Sequence, residues 1–569
     1  MAARAVKQSA IDAEALVSFH VHLRRKAGSA GPASLDDHFH GLIKPLSHDD
    51  FERLHGADDA DIAMIRQFAA GNNLVVEEVR PAARIVTLRG SVKSVNQAFG
   101  ITLGRYFEPH KAVYFRGYEG EVHVPASLAG LMVAVLGLDT FPAFRPHVVS
   151  TAPQAPYLPT EVASFYSFPD TVTGKGQGIG IIELGGGYDA TVLQDYFTNT
   201  LQLSMPAITD IGIDGATNQP GALPNFNAFN DEVYLDMEIA GAVANDAALH
   251  VYFCNATTSS FVNGVAAAVH DTVNKNTVIS ISWGEMETAP GSGSPASLCQ
   301  TFITAMEAQL QDAAALGITV CVSTGDFGAN CGSFNPLYGT GDQQAHVNYP
   351  ASSPWVLACG GTTIFTTGNT ITAEYVWNTF NNGNGKGTGG GISVYNTSPL
   401  YQINNKISTV SANDYPIGGT APVTGNAATS SPLPASQNTN GNMRGIPDVA
   451  AFANNTQGYL ISYDNITAGL GGTSAATPLW AGLIALMNEQ LGRSAGFLNP
   501  LLYGQQAVQQ ALNDIVVSSA PNATNNNING YGFAGYTAGP GWDACTGWGS
   551  PNGKKLVAAL QACFAAAGA

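Results

Sequence analysis

The sequence predicts an α/β protein in which a mostly parallel, doubly wound sheet flanked by helices follows a small antiparallel α/β unit. Three observations predict it. Runs that are apolar on both faces recur through residues 150–569 and alternate with helical stretches, the pattern of a sheet buried on both sides. Residues 1–149 instead show half-buried alternation in the order β-α-β-β-α-β. Between them, residues 140–160 are punctuated by Pro142, Pro146, Pro153, Pro156 and Pro159 and lack a hydrophobic period, which marks a linker. At 569 residues the chain exceeds what one core usually holds, so two domains are placed at 1–149 and 150–569, with the boundary inside 140–160.

In the first unit, residues 17–23 alternate as a strand, and residues 58–68 form a helix with Ile62, Met64, Ile65 and Phe68 on one face. Residues 74–79 and 84–88 are strands around a turn at Pro81; Ser91 caps a second helix carrying Val92, Val95 and Phe99; residues 112–115 and 121–124 supply the last strands. In the second unit the strands are 178–182, 249–253, 278–282, 318–322 and 355–358, with helices at 234–244, 261–273 and 302–315. In such sheets chemistry collects at the carboxyl ends of the strands.

One further helix begins in the turn Gly471-Gly472-Thr473-Ser474-Ala475-Ala476-Thr477-Pro478. Its glycines let the backbone approach a substrate, Pro478 suits a first turn, and Leu479, Trp480, Leu483 and Ile484 bury the rest of the helix. Ser474 is therefore a candidate nucleophile that needs a base. Only His250, His270 and His346 lie beyond residue 149, and none stands in a His-Gly-Thr helix start. A histidine-dependent protease would rest on His270. The alternative base is a carboxylate: Glu232 and Asp236, four apart, project from one helix face, and their mutual repulsion favours a shared proton. Asp326, in Gly325-Asp326-Phe327-Gly328, falls just past the strand 318–322.

Charge narrows the function further. Residues 1–149 hold 16 of the 24 Lys+Arg and 16 of the 42 Asp+Glu, so residues 150–569 keep 8 and 26 and carry the whole net charge of −18. Such a surface has little with which to hold nucleic acid, and its self-repulsion relaxes in acid. Nine of the 12 histidines lie in residues 1–149, so the first unit is the part that gains charge in mild acid. No run spans a membrane, and the first residues lack the apolar core of a signal peptide. The seven cysteines have no metal-cluster spacing; the separations Cys321/Cys331 and Cys545/Cys563 permit disulfides.

Gly-Gly-Thr-Ser-Ala-x-x-Pro at Ser474, Glu-x-x-x-Asp at Glu232 and Asp236, Ser-Ile-Ser-Trp-Gly at 280–284 and Gly-Asp-x-Gly at 325–328 together resemble the sedolisin family of serine-carboxyl peptidases, within it the kumamolisin-type branch, over nearly the whole chain. The resemblance implies a subtilisin-like catalytic domain behind an inhibitory, ferredoxin-like propeptide that is removed by self-cleavage. It implies Ser474 as nucleophile, Glu232 as general acid/base, Asp236 as its carboxyl partner and Asp326 as the oxyanion-hole acid, with Glu183 and Trp283 in a supporting network. It also implies one structural Ca2+, held by carboxylates of Asp514 and Asp543 and carbonyls of Ile515, Gly539 and Gly541. The expected protein is then an extracellular, monomeric, acid-acting endopeptidase on protein or peptide substrates, with a catalytically inactive peptide-binding homologue as the other reading. Residues 329–346 depart from the family pattern, where the substrate pocket is expected to be reshaped.

Overall fold

The computed structural model describes residues 5–29, 31–109, 111–151, 155–221, 227–287, 299–332, 345–380, 385–403, 443–463, 466–516, 525–528 and 535–568. Much of the pocket segment singled out above, residues 333–344, lies outside the described residues, as do residues 152–154 of the linker.

The amino-terminal unit is a four-stranded antiparallel sheet of β1 (Leu16–Leu23), β2 (Val75–Arg80), β3 (Ile85–Ser91) and β4 (Met132–Leu136), in the order β2-β3-β1-β4. Helix α1 (Asp59–Gly71) buries Ile62, Ile65 and Phe68 against it, and α2 (Val92–Phe99) buries Val92, Val95 and Phe99. Ser91 accepts from Ser94 N at 3.1 Å, and Gly100 ends α2 at φ 68, a left-handed turn that glycine adopts without strain. The closing strand differs from the expectation. Val113–Glu119 pairs with Thr102–Glu108 in a separate small sheet. Residues 121–124 form no strand, because Pro125 follows and His123 N is spent on the Phe99 carbonyl that α2 leaves open. The fourth strand is Met132–Leu136, in which buried Met132, Ala134 and Leu136 alternate with more exposed valines; Ala134 and Leu136 join the core of the second unit, and Val135 packs on that of the first.

The second unit is built on an eight-stranded sheet. Its strands are β5 (Gly178–Glu183), β6 (Ile208–Gly212), β7 (Ala248–Phe253), β8 (Val278–Ile281), β9 (Thr319–Ser323), β10 (Leu357–Thr367), β11 (Thr370–Val376) and β12 (Val449–Phe452). Their order is β6-β7-β5-β8-β9-β10-β11, with β12 beside β10. Every pairing is parallel except β10 with β11. Helices α3 (Asn227–Val243) and α6 (Thr473–Leu491) share one core cluster, while α4 (Thr258–Val269) and α5 (Gln300–Leu316) belong to the other. This is the subtilisin-like sheet. Helix α6 is buried almost throughout, and Leu479, Trp480, Leu483 and Ile484 each contribute about 1.5–3 kcal/mol of apolar burial. Gly482 lets it close on α3, since a Cβ there would sit 2.7 Å from Val243.

Pro478 lies in the second turn of α6 rather than the first. Having no N–H, it leaves the Ser474 carbonyl without its helical partner, and the Ser282 hydroxyl approaches that oxygen to 3.5 Å. The cysteine spacings form no disulfide: all seven are free thiols, with Cys321 and Cys359 inside core strands and the Cys545 thiol turned to the Tyr536 carbonyl.

The two units meet through a buried charge cluster. Arg25 and Arg84 each donate to Asp312 of α5 at 2.6 Å, and His270 lies 3.2 Å from the same carboxylate. Despite its burial, Arg84, His270 and Arg25 hold Asp312 down to about 2. Nearby, His20 pairs with Asp214 at 3.3 Å, and His38 packs edge-on against Trp355 and Phe497.

Candidate active site

Three strand ends, the middle of one helix and the start of another converge. Glu183 ends β5, Ser282 and Trp283 follow β8, Asp326 follows β9, and α3 supplies Glu232 and Asp236 from its middle turns. Ser474 is the second residue of α6, and all of these side chains are buried.

The three carboxyls, Glu183, Asp236 and Glu232, are coupled through their charges. Trp283 Nε1 donates to Glu183 Oε2 at 3.0 Å, and Ser282 Oγ donates to Asp236 Oδ1 at 2.8 Å. Burial, then the charge of Asp236, pushes Glu183 well above the usual carboxylate range. Glu232 rises for the same reasons, opposed by the neighbouring Ser474 hydroxyl. Asp236 rises through burial, countered by Ser282. Neither oxygen of Glu232 has a well-aligned hydrogen-bond partner. Burial and mutual repulsion together disfavour more than one negative charge among the three, and the neighbouring Ser474 hydroxyl favours that charge on Glu232.

Asp326 faces the serine turn from the other side. Its Oδ1 accepts from Thr473 N and from Thr473 Oγ1, both at 2.8 Å, while Oδ2 is buried and has no hydrogen-bond partner. Burial raises it to about 7, against Lys386 and the Thr473 bonds. Gly472 adopts φ +118, and a Cβ built there would collide with the His147 carbonyl oxygen and fall 2.6 Å from Asp326 Oδ2. That carbonyl therefore sits where the Asp326 carboxyl and the Gly472 turn meet.

His147 belongs to the linker, and the linker lies in the site as an extended strand. Pro146 and Arg145 pair antiparallel with Trp283 and Gly284, and residues 149–151 pair antiparallel with Gly471, Leu470 and Gly469. The Ser282 carbonyl accepts from His147 N at 3.2 Å and from Ser474 Oγ at 3.4 Å. One oxygen thus brings the serine and the linker backbone together.

The sequence alone did not single out Ser282, Thr473 or His147. The first two stand inside the quoted motifs, but their duty, holding a carboxyl by a hydroxyl, leaves no spacing signal. His250 is bonded to Asn276 at 2.7 Å, and His270 is engaged with Asp312 at the interface between the units. A base at His270 has no geometric support.

Comparison with known proteins fits this arrangement. The pro-kumamolisin activation domain matches residues 3–141 and the subtilase family matches residues 216–536. Kumamolisin of Bacillus sp. (strain MN-32) is 39% identical over 98% of this chain and 94% of its own length. The chain belongs to the sedolisin-type subtilases. Sedolisin of Pseudomonas sp. (strain 101) is 29% identical over 88% of this chain and 79% of its own. The solved structure of Pseudomonas sedolisin, a serine-carboxyl proteinase in complex with pseudo-iodotyrostatin, superposes with a TM-score of 0.56 at 29% identity, over 73% of this chain and 99% of that one. Tripeptidyl-peptidase 1 of Canis lupus familiaris is 32% identical over 46% of this chain and 41% of its own. This sedolisin-type chain is thus a serine peptidase with an activation domain in front.

Asp514 and Asp543 both reach the loop 539–543. Gly541 N donates to Asp514 Oδ2 at 2.8 Å and Gly539 N to Asp543 Oδ2 at 3.3 Å. Burial raises Asp514 and lifts Asp543 to about 7. Among the described residues no three His, Cys, Asp or Glu side chains cluster for a metal, so a cation here needs backbone carbonyls to complete its shell. A buried carboxylate, Asp543, and an exposed one, Asp514, both tethered to one glycine loop, fit an oxygen-ligated divalent ion.

Proposed function

We propose that the chain is an acid-acting serine-carboxyl endopeptidase made as a self-inhibited precursor, which first cuts its own linker between His147 and Val148. The observation that carries this reading is the His147 carbonyl oxygen lodged beside Asp326 Oδ2 and the Gly472 turn, with its own N–H on the oxygen that Ser474 also reaches.

In this reading Ser474 Oγ attacks the carbonyl carbon and Glu232 takes the hydroxyl proton. The developing oxyanion accepts a hydrogen bond from protonated Asp326 Oδ2, a donor only while it keeps its proton. When the tetrahedral species collapses, the leaving amine takes the proton from Glu232, and water releases the acyl-enzyme by the same steps. Asp236, Glu183 and Trp283 fix the position and charge of Glu232. With that cut, residues 1–147 act as the intramolecular inhibitor and the catalytic chain begins at Val148, two residues before the expected division at 149/150 and inside 140–160.

The endopeptidase reading draws support from the linker's passage through the cleft, paired on both sides of His147 and continuing into the amino-terminal unit. A tripeptidyl exopeptidase must instead seat a free amino group three residues before the cut. Asp514 and Asp543, with carbonyls of Ile515, Gly539 and Gly541, would hold one structural Ca2+ that neutralises both carboxylates and ties these loops together. Secretion and a monomeric state complete the proposal; no helix among the described residues is long and apolar enough to cross a membrane.

The test is hydrolysis, in acid, of a quenched peptide blocked at both ends. Cleavage by the wild type and its loss in Glu232→Gln, with His270→Ala retained, is the expected result. Activity that survives Glu232→Gln and vanishes in His270→Ala would restore the histidine mechanism, and a folded wild type inert toward all peptides would leave the inactive homologue.

A further inference from the structure

We infer that the cleft selects histidine at the residue just before the cut and arginine two residues earlier, through Ser323 and through Phe327 with the Cys331 carbonyl. The inference rests on the peptidase reading above and goes beyond it by naming the peptide that the subsites read.

The histidine site is enclosed and polar. The His147 side chain is buried, and its Nδ1 lies 2.8 Å from Ser323 Oγ. Ser323 ends β9, three residues before Asp326, so one strand end carries both the pocket floor and the oxyanion acid. Two glycines give the ring room: a Cβ at Gly284 would stand 3.0 Å from His147 Cε1, and one at Gly325 3.7 Å from it while also colliding with Asn348. Asn348 Oδ1 is buried without a partner. An aliphatic side chain would leave the Ser323 hydroxyl in that pocket without the ring nitrogen that now meets it, and unpaired buried polar groups are the strongest source of discrimination in such sites. The ring is held neutral, pushed down to about 3 by burial and then by Arg145 and Lys386.

The arginine site is an aromatic shelf. The Arg145 guanidinium lies 4.6 Å from the Phe327 ring centroid, and Nη2 donates to the Cys331 carbonyl at 2.5 Å. Cys331 presents that carbonyl from a left-handed turn at φ 52, where the short helix Gly328–Asn330 ends. Lysine could reach the ring but lacks the planar fork that stacks and donates at once.

The experiment uses the mature enzyme and blocked, quenched peptides with the linker sequence Phe-Arg-Pro-His-Val-Val-Ser-Thr. Two relatives carry Leu in place of His or Ala in place of Arg. In the wild type each replacement should lower kcat/KM at least about tenfold. In Ser323→Ala the His-to-Leu ratio should contract to within about twofold, and in Phe327→Leu the Arg-to-Ala ratio should do the same. Ratios taken within one variant are insensitive to a partial loss of fold. Equal rates on all three peptides, or ratios that the two variants leave unchanged, would overturn the subsite assignment while leaving a working peptidase. A precursor that processes itself but ignores the linker peptide would also overturn it, showing the pairing to be intramolecular only. Failure of both processing and peptide cleavage would remove the peptidase reading along with it.

Discussion

Asp326 and Thr473 are joined by two hydrogen bonds to a single carboxylate oxygen: the Thr473 N–H and hydroxyl both donate to Asp326 Oδ1 at 2.8 Å. The pairing fixes the carboxyl's rotation and leaves Oδ2 without a partner on the side of the Gly472 turn that the His147 carbonyl oxygen also approaches. It couples the acid that would receive the oxyanion to the residue directly before the nucleophile.

This predicts a specific result for Asp326→Asn. Its amide oxygen can accept the Thr473 bonds while its NH2 stands at the Oδ2 position and donates at any pH. The wild-type pH profile should fall as pH rises through about 7, where Asp326 loses its proton. In Asp326→Asn that alkaline fall should disappear, whereas Asp326→Ala should lose about 10²–10³ in kcat at every pH. A pH–rate series on the three proteins checks it.

Trp283→Phe should act on the charge of the carboxyl chain. Removing the 3.0 Å donor from Glu183 leaves that carboxyl with burial and the Asp236 charge alone, so its proton is held more tightly. The expected outcome is a drop of about tenfold in kcat with KM within twofold, and an acid limb of the pH profile displaced. A uniform loss with an unmoved profile would mean that Trp283 only fills space.

Acid should act oppositely on the two units of a Ser474→Ala precursor. Groups such as Asp326 and Glu307, raised by burial to about 7 from ordinary values near 4, give stability that is full below about 4 and lost as pH rises through 7. His22 and His38 are lowered by burial to about 3 and about 4 from 6.5, so their contribution is present above 6.5 and lost as pH falls toward those values. Asp312 stays ionised down to about 2, so the Arg25 and Arg84 clamp is constant. Hydrogen exchange from pH 7 to pH 4.5 should show β1 and the helix Leu35–His40 opening while α3 and α6 become better protected.

Calcium should stabilise the mature domain. Adding it should raise Tm, chelation should reverse the gain, and Asp543→Asn should abolish the response while leaving the Glu232 and Asp326 geometry in place. Calorimetry with and without a chelator measures it; an equal response in Asp543→Asn would move the ion elsewhere.

How much of this was legible in the sequence depends on what kind of signal each part leaves. The parallel strands were readable because runs such as Gly178–Glu183 and Thr319–Ser323 are apolar on both faces. Ser474, Glu232, Asp236 and Asp326 stood out by turn chemistry and helical spacing, although only the folded chain brings strand ends from residues 183, 282 and 326 beside one helix start. The closing strand of the amino-terminal sheet was misassigned because residues 121–124 alternate as well as residues 132–136 do, and only the competition for the Phe99 carbonyl separates them. The linker's passage through the cleft was invisible, although its place in the chain was not: Arg145, Pro146 and His147 have no period, and they gain structure from the cleft they occupy.

The central claim, that a carboxyl-activated serine cuts the linker after His147, is tested most directly by intact-mass analysis of the precursor after brief acidification. The wild type should release a catalytic chain beginning at Val148, while Ser474→Ala and Glu232→Gln remain uncut over the same interval. Processing of Ser474→Ala at the wild-type rate, or a first wild-type cut at another bond, would contradict the account.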